Sequence, residues 1–454
     1  MPLPELDVPL KEADNTLDLA RRLGLMCLMG EGAKELRRLC AAKPARDHLA
    51  WVEQRVASMG PELWLEADPE LGFLPALDAD GLRQDLEVAR TMHPLEYLGV
   101  LRGLCAGVLS ATFENTTGEV SLRRGMPMPV AGRPIDKLFK PTTYQRTLSR
   151  GHLLGGSGFT PVRHQSDEGI DVVLDFSCRH RLDQLTWDEQ DRLPLIAGVF
   201  PIHGLEQFEI NQIEPEWFFE VRPKQWEPEA VLELLASLPG DVHIAVLPEL
   251  TLPEADALEE ALEQHHDRYP PIVVAGSAHV CDPGDGTRSN ESRAYLDGRC
   301  VLRHHKIHPF AAKHLDGKTY DPALPEGIDD GKAEIRVLAG SRTHLAIVIC
   351  ADLNDEVIPL LLEDAGVNLL LVPALTTDLG SFNGAATGLA SRRQGITAVV
   401  NAGFDKDDSF CFFVGVPRPT PREQSEIEVA PELGQPFAAL FDPNEPADLA
   451  VSFY

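Results

Sequence analysis

The chain has 454 residues, a formal net charge of −30 and 43% hydrophobic residues. At about 100 to 200 residues per domain this length implies two or three domains, and 25% charged with 6% aromatic residues is the composition of an ordinary folded, soluble protein. So large an acidic excess repels phosphate backbones, which argues against nucleic acid and anionic membranes as partners, although the stretch 121–150 is locally rich in Arg and Lys.

The first fifteen residues, "MPLPELDVPLKEADN", lack the charged-then-apolar pattern of a signal peptide. No apolar run reaches the roughly 18 residues of a membrane span. Eight cysteines are spread along the chain without Cys-x-x-Cys pairs, which suits a reducing, cytoplasmic setting. Residues 16–43, 46–60 and 81–112 carry apolar side chains at three- and four-residue spacings, so residues 1–185 are expected to be mainly helical. Within that region 113–185 is broken by Gly, Pro and charge, with one strand expected at 170–178. "GGSGF" (155–159) lacks the Lys-Ser/Thr ending of a phosphate loop and reads as a turn.

From about residue 190 the pattern becomes alternating strands and helices. Strands are expected at 193–202, 217–223, 242–250, 271–280, 343–350, 367–375 and 396–403, with helices at 227–238 and 252–266. Asp297-Gly298 between two β-rich runs predicts a tight hairpin. Near-continuous apolar strands separated by helices imply a sheet buried on both faces, hence an α/β domain over 190–454.

"HLAIVICADLND" (344–355) puts Cys350 at the tip of one such strand. Alone, a cysteine there is core filler. At a strand's C-terminal end it is also where α/β enzymes present nucleophiles. A thiol nucleophile needs a base and a positive charge. Glu249 ends "IAVLPEL", and Lys306 follows the hairpin in "LRHHKIHPF". Singly, Glu249 is equally well a helix-start carboxylate and Lys306 a solvated charge; their joint placement at strand ends favours chemistry. His304, His305 and His308 lack a matching set of Cys, Asp or Glu ligands, so neither a metal nor an organic cofactor is expected.

The segments "VLPEL", "YLDGRCVLRHHKIHPF", "LAIVICADL" and "VNLLLVPAL" followed by "RRQGITAVVNAG" resemble, in order and spacing, the signatures of the nitrilase superfamily of carbon–nitrogen hydrolases. The resemblance covers roughly 190–454 and implies an αββα sandwich that assembles as a homodimer or higher homo-oligomer. It implies Glu249 as general base, Lys306 as the cation beside the tetrahedral intermediate and Cys350 as nucleophile. Glu326 takes the place of a second, supporting glutamate, His308 supports the lysine loop, and Asp352 makes a structural hydrogen bond. The N–H of Ala351 is a natural second oxyanion donor. A free thiol titrates near about 8.5, and an ammonium beside it is expected to lower that value.

The function expected is hydrolysis of a non-peptide carbon–nitrogen bond in a small molecule, an amide first, through a thioester. The same triad serves nitrile hydrolysis, acyl transfer or ammonia supply to a partner. The rival from another class is a nitrilase-like scaffold used only for binding. After Cys350, "ADLNDEVIP" departs from the aromatic and Arg-containing sequence of many members, so the resemblance names no substrate.

Overall fold

Strands that are apolar on both faces must be covered on both, and this requirement organises the computed structural model. From 169 to 441 it describes the chain apart from 187–193, 214–216, 226–227, 253–254, 316–317, 330–332, 341–342, 377–379, 394, 404–409, 416–424 and 429–435. Before 169 it describes short pieces, among them 51–52, 55–56, 98–104, 118–124, 127–129 and 159–164. The helix expected at 16–43 lies outside the described residues. Within 46–60 and 81–112, residues 51–52, 55–56 and 98–104 are helical. No helix among the described residues is long and apolar enough to cross a membrane.

In chain order the principal elements are β1 (Glu119–Ser121), β2 (Asp171–Asp175), α1 (Arg179–Thr186), β3 (Leu195–Phe200), β4 (Phe208–Ile213), β5 (Phe218–Pro223), α2 (Pro228–Ser237), β6 (Val242–Val246), α3 (Ala255–Gln264), β7 (Ile272–Val274), β8 (Ala278–Cys281), β9 (Arg288–Leu296) and β10 (Arg299–His305). They continue with β11 (Ala311–Leu315), β12 (Lys318–Pro325), β13 (Glu334–Ala339), β14 (His344–Ile347), α4 (Ile358–Asp364), β15 (Leu369–Ala374), α5 (Gly380–Arg393), β16 (Ile396–Asn401), β17 (Phe410–Gly415), β18 (Ser425–Glu428) and β19 (Phe437–Phe441).

A seven-stranded sheet has β6 between parallel β3 and β7, β19 antiparallel to β3, and β9 antiparallel to β7, β8 and β10. An eight-stranded sheet runs β18, β17, β16, β15, β14, β13, β2, β1, with β14, β15 and β16 parallel. Alternation along each strand sends one set of side chains between the sheets and the other outward. Ile244 and Val246 of β6 thus meet Ile347 of β14 and Leu371 of β15 in one buried cluster. Ala245 and Leu247 turn the other way, under Val231 and Leu235 of α2 and Leu258 and Leu262 of α3. On the far side Leu370 and Val399 pack under Leu361 and Leu362 of α4 and Phe382 and Ala386 of α5. The layers are helix, sheet, sheet, helix, as expected.

Two details differ from the sequence reading, and one further strand is not assigned there. The eight-stranded sheet takes β1 and β2 from before residue 190, because the outer edge of β13 needs a hydrogen-bonding neighbour and β2 supplies a parallel one; Leu101 and Leu104 also join the core on that sheet's outer side. The strand expected at 271–280 is two strands, β7 and β8, whose registers on β9 differ by one residue across Gly276. β12, "KTYDPALP", is a strand despite its prolines, since among the described residues it pairs with β11 in a two-stranded hairpin where a missing N–H is tolerated.

The hairpin at Asp297-Gly298 forms as expected, with both residues at positive φ (48° and 78°), the requirement of a type I′ turn. A Cβ on Gly298 would lie 2.2 Å from the Leu262 carbonyl oxygen at the end of α3. Gly286 has the same φ of 78° but open space around it. Gly298→Ala should therefore lower urea-unfolding stability by roughly 1–3 kcal/mol, and Gly286→Ala by clearly less, since it meets only the conformational cost.

Candidate active site

Four strand ends bring the site together. Glu249 follows β6, Lys306 directly follows β10, Glu326 directly follows β12, and Cys350 follows β14. Two of these positions need unusual backbone. Leu250 and Cys350 sit at φ 57° and 45°, a left-handed conformation that costs an ordinary residue about 1–3 kcal/mol and persists only where surroundings impose it. At Glu249 the surroundings are clear. The Leu250 N–H donates to Ser277 Oγ, the Glu249 N–H donates to the Ala374 carbonyl, and Thr251 Oγ donates to the Pro248 carbonyl. Gly276 makes room for this turn, since a Cβ there would lie 2.2 Å from the Pro248 oxygen. The break between β7 and β8 thus admits the Glu249 turn.

Cys350 opens a single turn of 3₁₀ helix, Cys350–Asn354. Asp352, on that turn and fully buried, accepts the N–H groups of Ile307 and His308 at 3.1 and 2.8 Å and that of Ile349 at 3.4 Å. Its Oδ2 lies 3.2 Å from His304 Nε2. One carboxylate therefore ties the loop carrying Lys306 to the turn carrying Cys350.

At the centre, Lys306 Nζ donates to Glu249 Oε1 and Glu326 Oε2, both at 2.7 Å. The three side chains are 1%, 3% and 2% exposed, so solvent does not screen them. Asn290 gives one N–H to Glu249 Oε1 at 3.0 Å and the other to Glu326 Oε1 at 2.9 Å. Glu326 further accepts from His279 Nε2 at 2.8 Å and the Phe310 N–H at 3.0 Å.

The charges follow from these contacts. Burial alone would raise Glu326, but Lys306 and the His279 hydrogen bond hold it well below the usual carboxylate range. Burial pushes Glu249 up, and the charge of Glu326 adds to this while Lys306 opposes it. Burial would lower Lys306, yet the two carboxylates hold it well above its ordinary value. Burial and the negative charge of Glu249 push the Cys350 thiol well up, and Lys306 only partly offsets them. The depressed thiol expected from the sequence is thus corrected: Lys306 is already shared between two carboxylates. Glu249 is thus the carboxylate whose negative charge acts on the Cys350 thiol.

Glu249, Lys306, Glu326 and Cys350 are brought together, and Asp352 does make a structural hydrogen bond. His308 contributes its backbone N–H to Asp352, and its half-buried ring lies 3.3 Å from Asp355. Ala351 is half-buried beside Cys350 in the same turn. Among the described residues no group of His, Cys, Asp and Glu could hold a metal ion. Asn290 and His279 were missed. A buried Asn in "RSNESRAYL", opposite the hairpin strand, was the available signal; for His279 in "SAHV" there was none.

No protein-family model matches the chain, and no curated protein matches it. Among solved structures it is similar to an amidase from Nesterenkonia sp. (16% identity, TM-score 0.36, 55% of this chain and 89% of that one). It is also similar to Saccharomyces cerevisiae Nit3, described as a member of branch 10 of the nitrilase superfamily (15%, 0.34, 56% and 93%). A third is a mutant of the amidase from Nesterenkonia sp. AN1 in complex with butyramide (16%, 0.35, 56% and 92%).

Because Glu326 is held below its ordinary range when folded, the stability it contributes is present above the unfolded value of about 4.3 and lost as pH falls. Glu326→Gln should cost about 3–5 kcal/mol at pH 7, the scale for breaking a buried ion pair. Denaturant unfolding from pH 7 to pH 3 should show the gap from wild type narrowing on the acid side.

Proposed function

We propose that the chain is a carbon–nitrogen hydrolase of the nitrilase superfamily, cleaving a small non-peptide amide through a thioester on Cys350. The observation that supports this reading most is the buried pair of Glu249 Oε1 and Lys306 Nζ at 2.7 Å, whose charges both act on the Cys350 thiol. A buried thiol with a raised pKa does not ionise by itself at neutral pH; it needs a base to take its proton, and Glu249 is raised toward that role.

In this reading Glu249 takes the thiol proton as sulfur attacks the amide carbon. The oxyanion is met by the N–H of Lys306 that its two carboxylates do not use and by the Ala351 backbone N–H. As the C–N bond breaks, Glu249 returns the proton to the departing ammonia or amine, leaving a thioester. Water, deprotonated by the same carboxylate, then attacks the thioester; as the C–S bond breaks Glu249 returns that proton to sulfur, and the acid departs. Throughout, Glu249 carries the proton while Lys306 stays charged. A nitrile would give a thioimidate on the same residues.

We place the catalytic unit in the two-sheet body, with β1 and β2 included. Ammonia release from a panel of small amides, ureido compounds and nitriles tests the reading. Wild type should turn over at least one, and Cys350→Ala should lose on the order of 10³-fold or more. Intact mass should show an acyl adduct on the wild type alone. Turnover that survives in Cys350→Ala, or silence across the panel with Cys350 unmodified, would sink it in favour of a binding scaffold.

A further inference from the structure

Glu326 has all four of its acceptor positions occupied. Lys306 and the Phe310 N–H meet Oε2, and Asn290 and His279 meet Oε1. Glu249, by contrast, accepts from Lys306 and Asn290, both on Oε1. One carboxylate is locked and its counterpart is left with a proton site.

His279 is the part of this lock that no motif suggested. It sits on β8 directly opposite Asn290 on β9, so the two side chains reach Glu326 from one face. Its side chain is 2% exposed. The Val221 N–H donates to Nδ1 at 3.1 Å. A ring nitrogen that accepts a hydrogen bond carries no proton, so the proton is on Nε2 and is donated to Glu326. The Phe219 ring packs against the imidazole at 4.6 Å.

Both Val221 and Phe219 lie on β5, and that strand is itself fastened beside Glu326. The Gly327 N–H donates to the Phe218 carbonyl at 2.7 Å. Arg288 stacks on Trp217 at 4.2 Å and pairs with Asp329 at 2.9 Å. The hairpin of β4 and β5 therefore sets the tautomer and orientation of a histidine that donates to the locked carboxylate.

We propose that His279 is a positioning residue of this site: oriented by the Val221 N–H, it fixes Glu326 against Lys306 and so leaves Glu249 as the carboxylate that moves the proton. The proposal rests on reading Glu249, Lys306 and Cys350 as a catalytic triad. The ionisable groups on this path are Glu326 past β12, Lys306 past β10 and Glu249 past β6, with Cys350 at its end.

The test is the rate of Cys350 alkylation by iodoacetamide between pH 4 and pH 9, read by peptide mass, because it reports neighbouring charges without needing a substrate. His279→Leu removes the donor and should bring a new acid-side inflection into the profile, about one pH unit or more above any in wild type. His279→Gln, which can place an N–H near Nε2, should follow wild type. Adding Glu326→Gln to His279→Leu should abolish the new inflection. His279→Asn, too short to reach Glu326, gives the same reading if the leucine variant does not fold. A leucine profile that superimposes on wild type, or an inflection that persists without Glu326, overturns the proposal. Failure of the amide panel would leave this profile readable, so the two readings fail separately.

Discussion

One buried ammonium between two buried carboxylates is the constraint on which the site depends. Glu249 and Glu326 are both 2.7 Å from Lys306 Nζ, and three such charges taken out of water are tolerable only if their remaining hydrogen-bonding capacity is met. Two carboxylates and one ammonium leave one negative charge, and further partners must be donors. Asn290, His279 and the Phe310 N–H are donors. Burial keeps the thiol protonated, and the same excess charge adds to it: ionising Cys350 would put a second negative charge into a volume that already holds one unbalanced.

That requirement shapes the backbone far from the reacting atoms. Glu249 reaches Lys306 only because its turn closes through Leu250 in a left-handed conformation, and that turn fits only because the neighbouring strand breaks at Gly276. Cys350 likewise stands at positive φ. Its turn is tied to the lysine loop by Asp352, which gathers N–H groups from both. The two sheets supply the rigidity that holds these strained ends, since β6 and β14, which lead into Glu249 and Cys350, are packed on both faces.

How much of this the sequence could tell follows from the range of each interaction. Apolar periodicity located the β6, β14, β15 and β16 strands and the α2 and α3 helices, because burial on two faces is written locally in runs such as "NLLLVPAL". Motif order pointed to Glu249, Lys306 and Cys350. It also offered Glu326, whose place in the site depends on β12, a strand that its prolines disguised. Asn290 and His279 were hidden for another reason: each is a single polar residue in an ordinary strand, and only the pairing of β8 with β9 places them together. β1 and β2 joined a sheet more than a hundred residues downstream, a contact that local pattern does not encode.

The difference between the two glutamates carries the chemical argument furthest. They share one lysine and one asparagine, yet burial raises Glu249 while Glu326 is held low. The distinction comes from the additional donors on Glu326, His279 and the Phe310 N–H, which favour its charged form alone. Two equivalent carboxylates around one ammonium would share a proton between them, and neither would be reserved for the thiol. Saturating one leaves the other as the more basic group, the one whose charge acts on the Cys350 thiol. A raised thiol beside a raised carboxylate then exchanges a proton with little change in the net charge of the buried cluster. This is how a cysteine with no depressed pKa of its own can serve as a nucleophile.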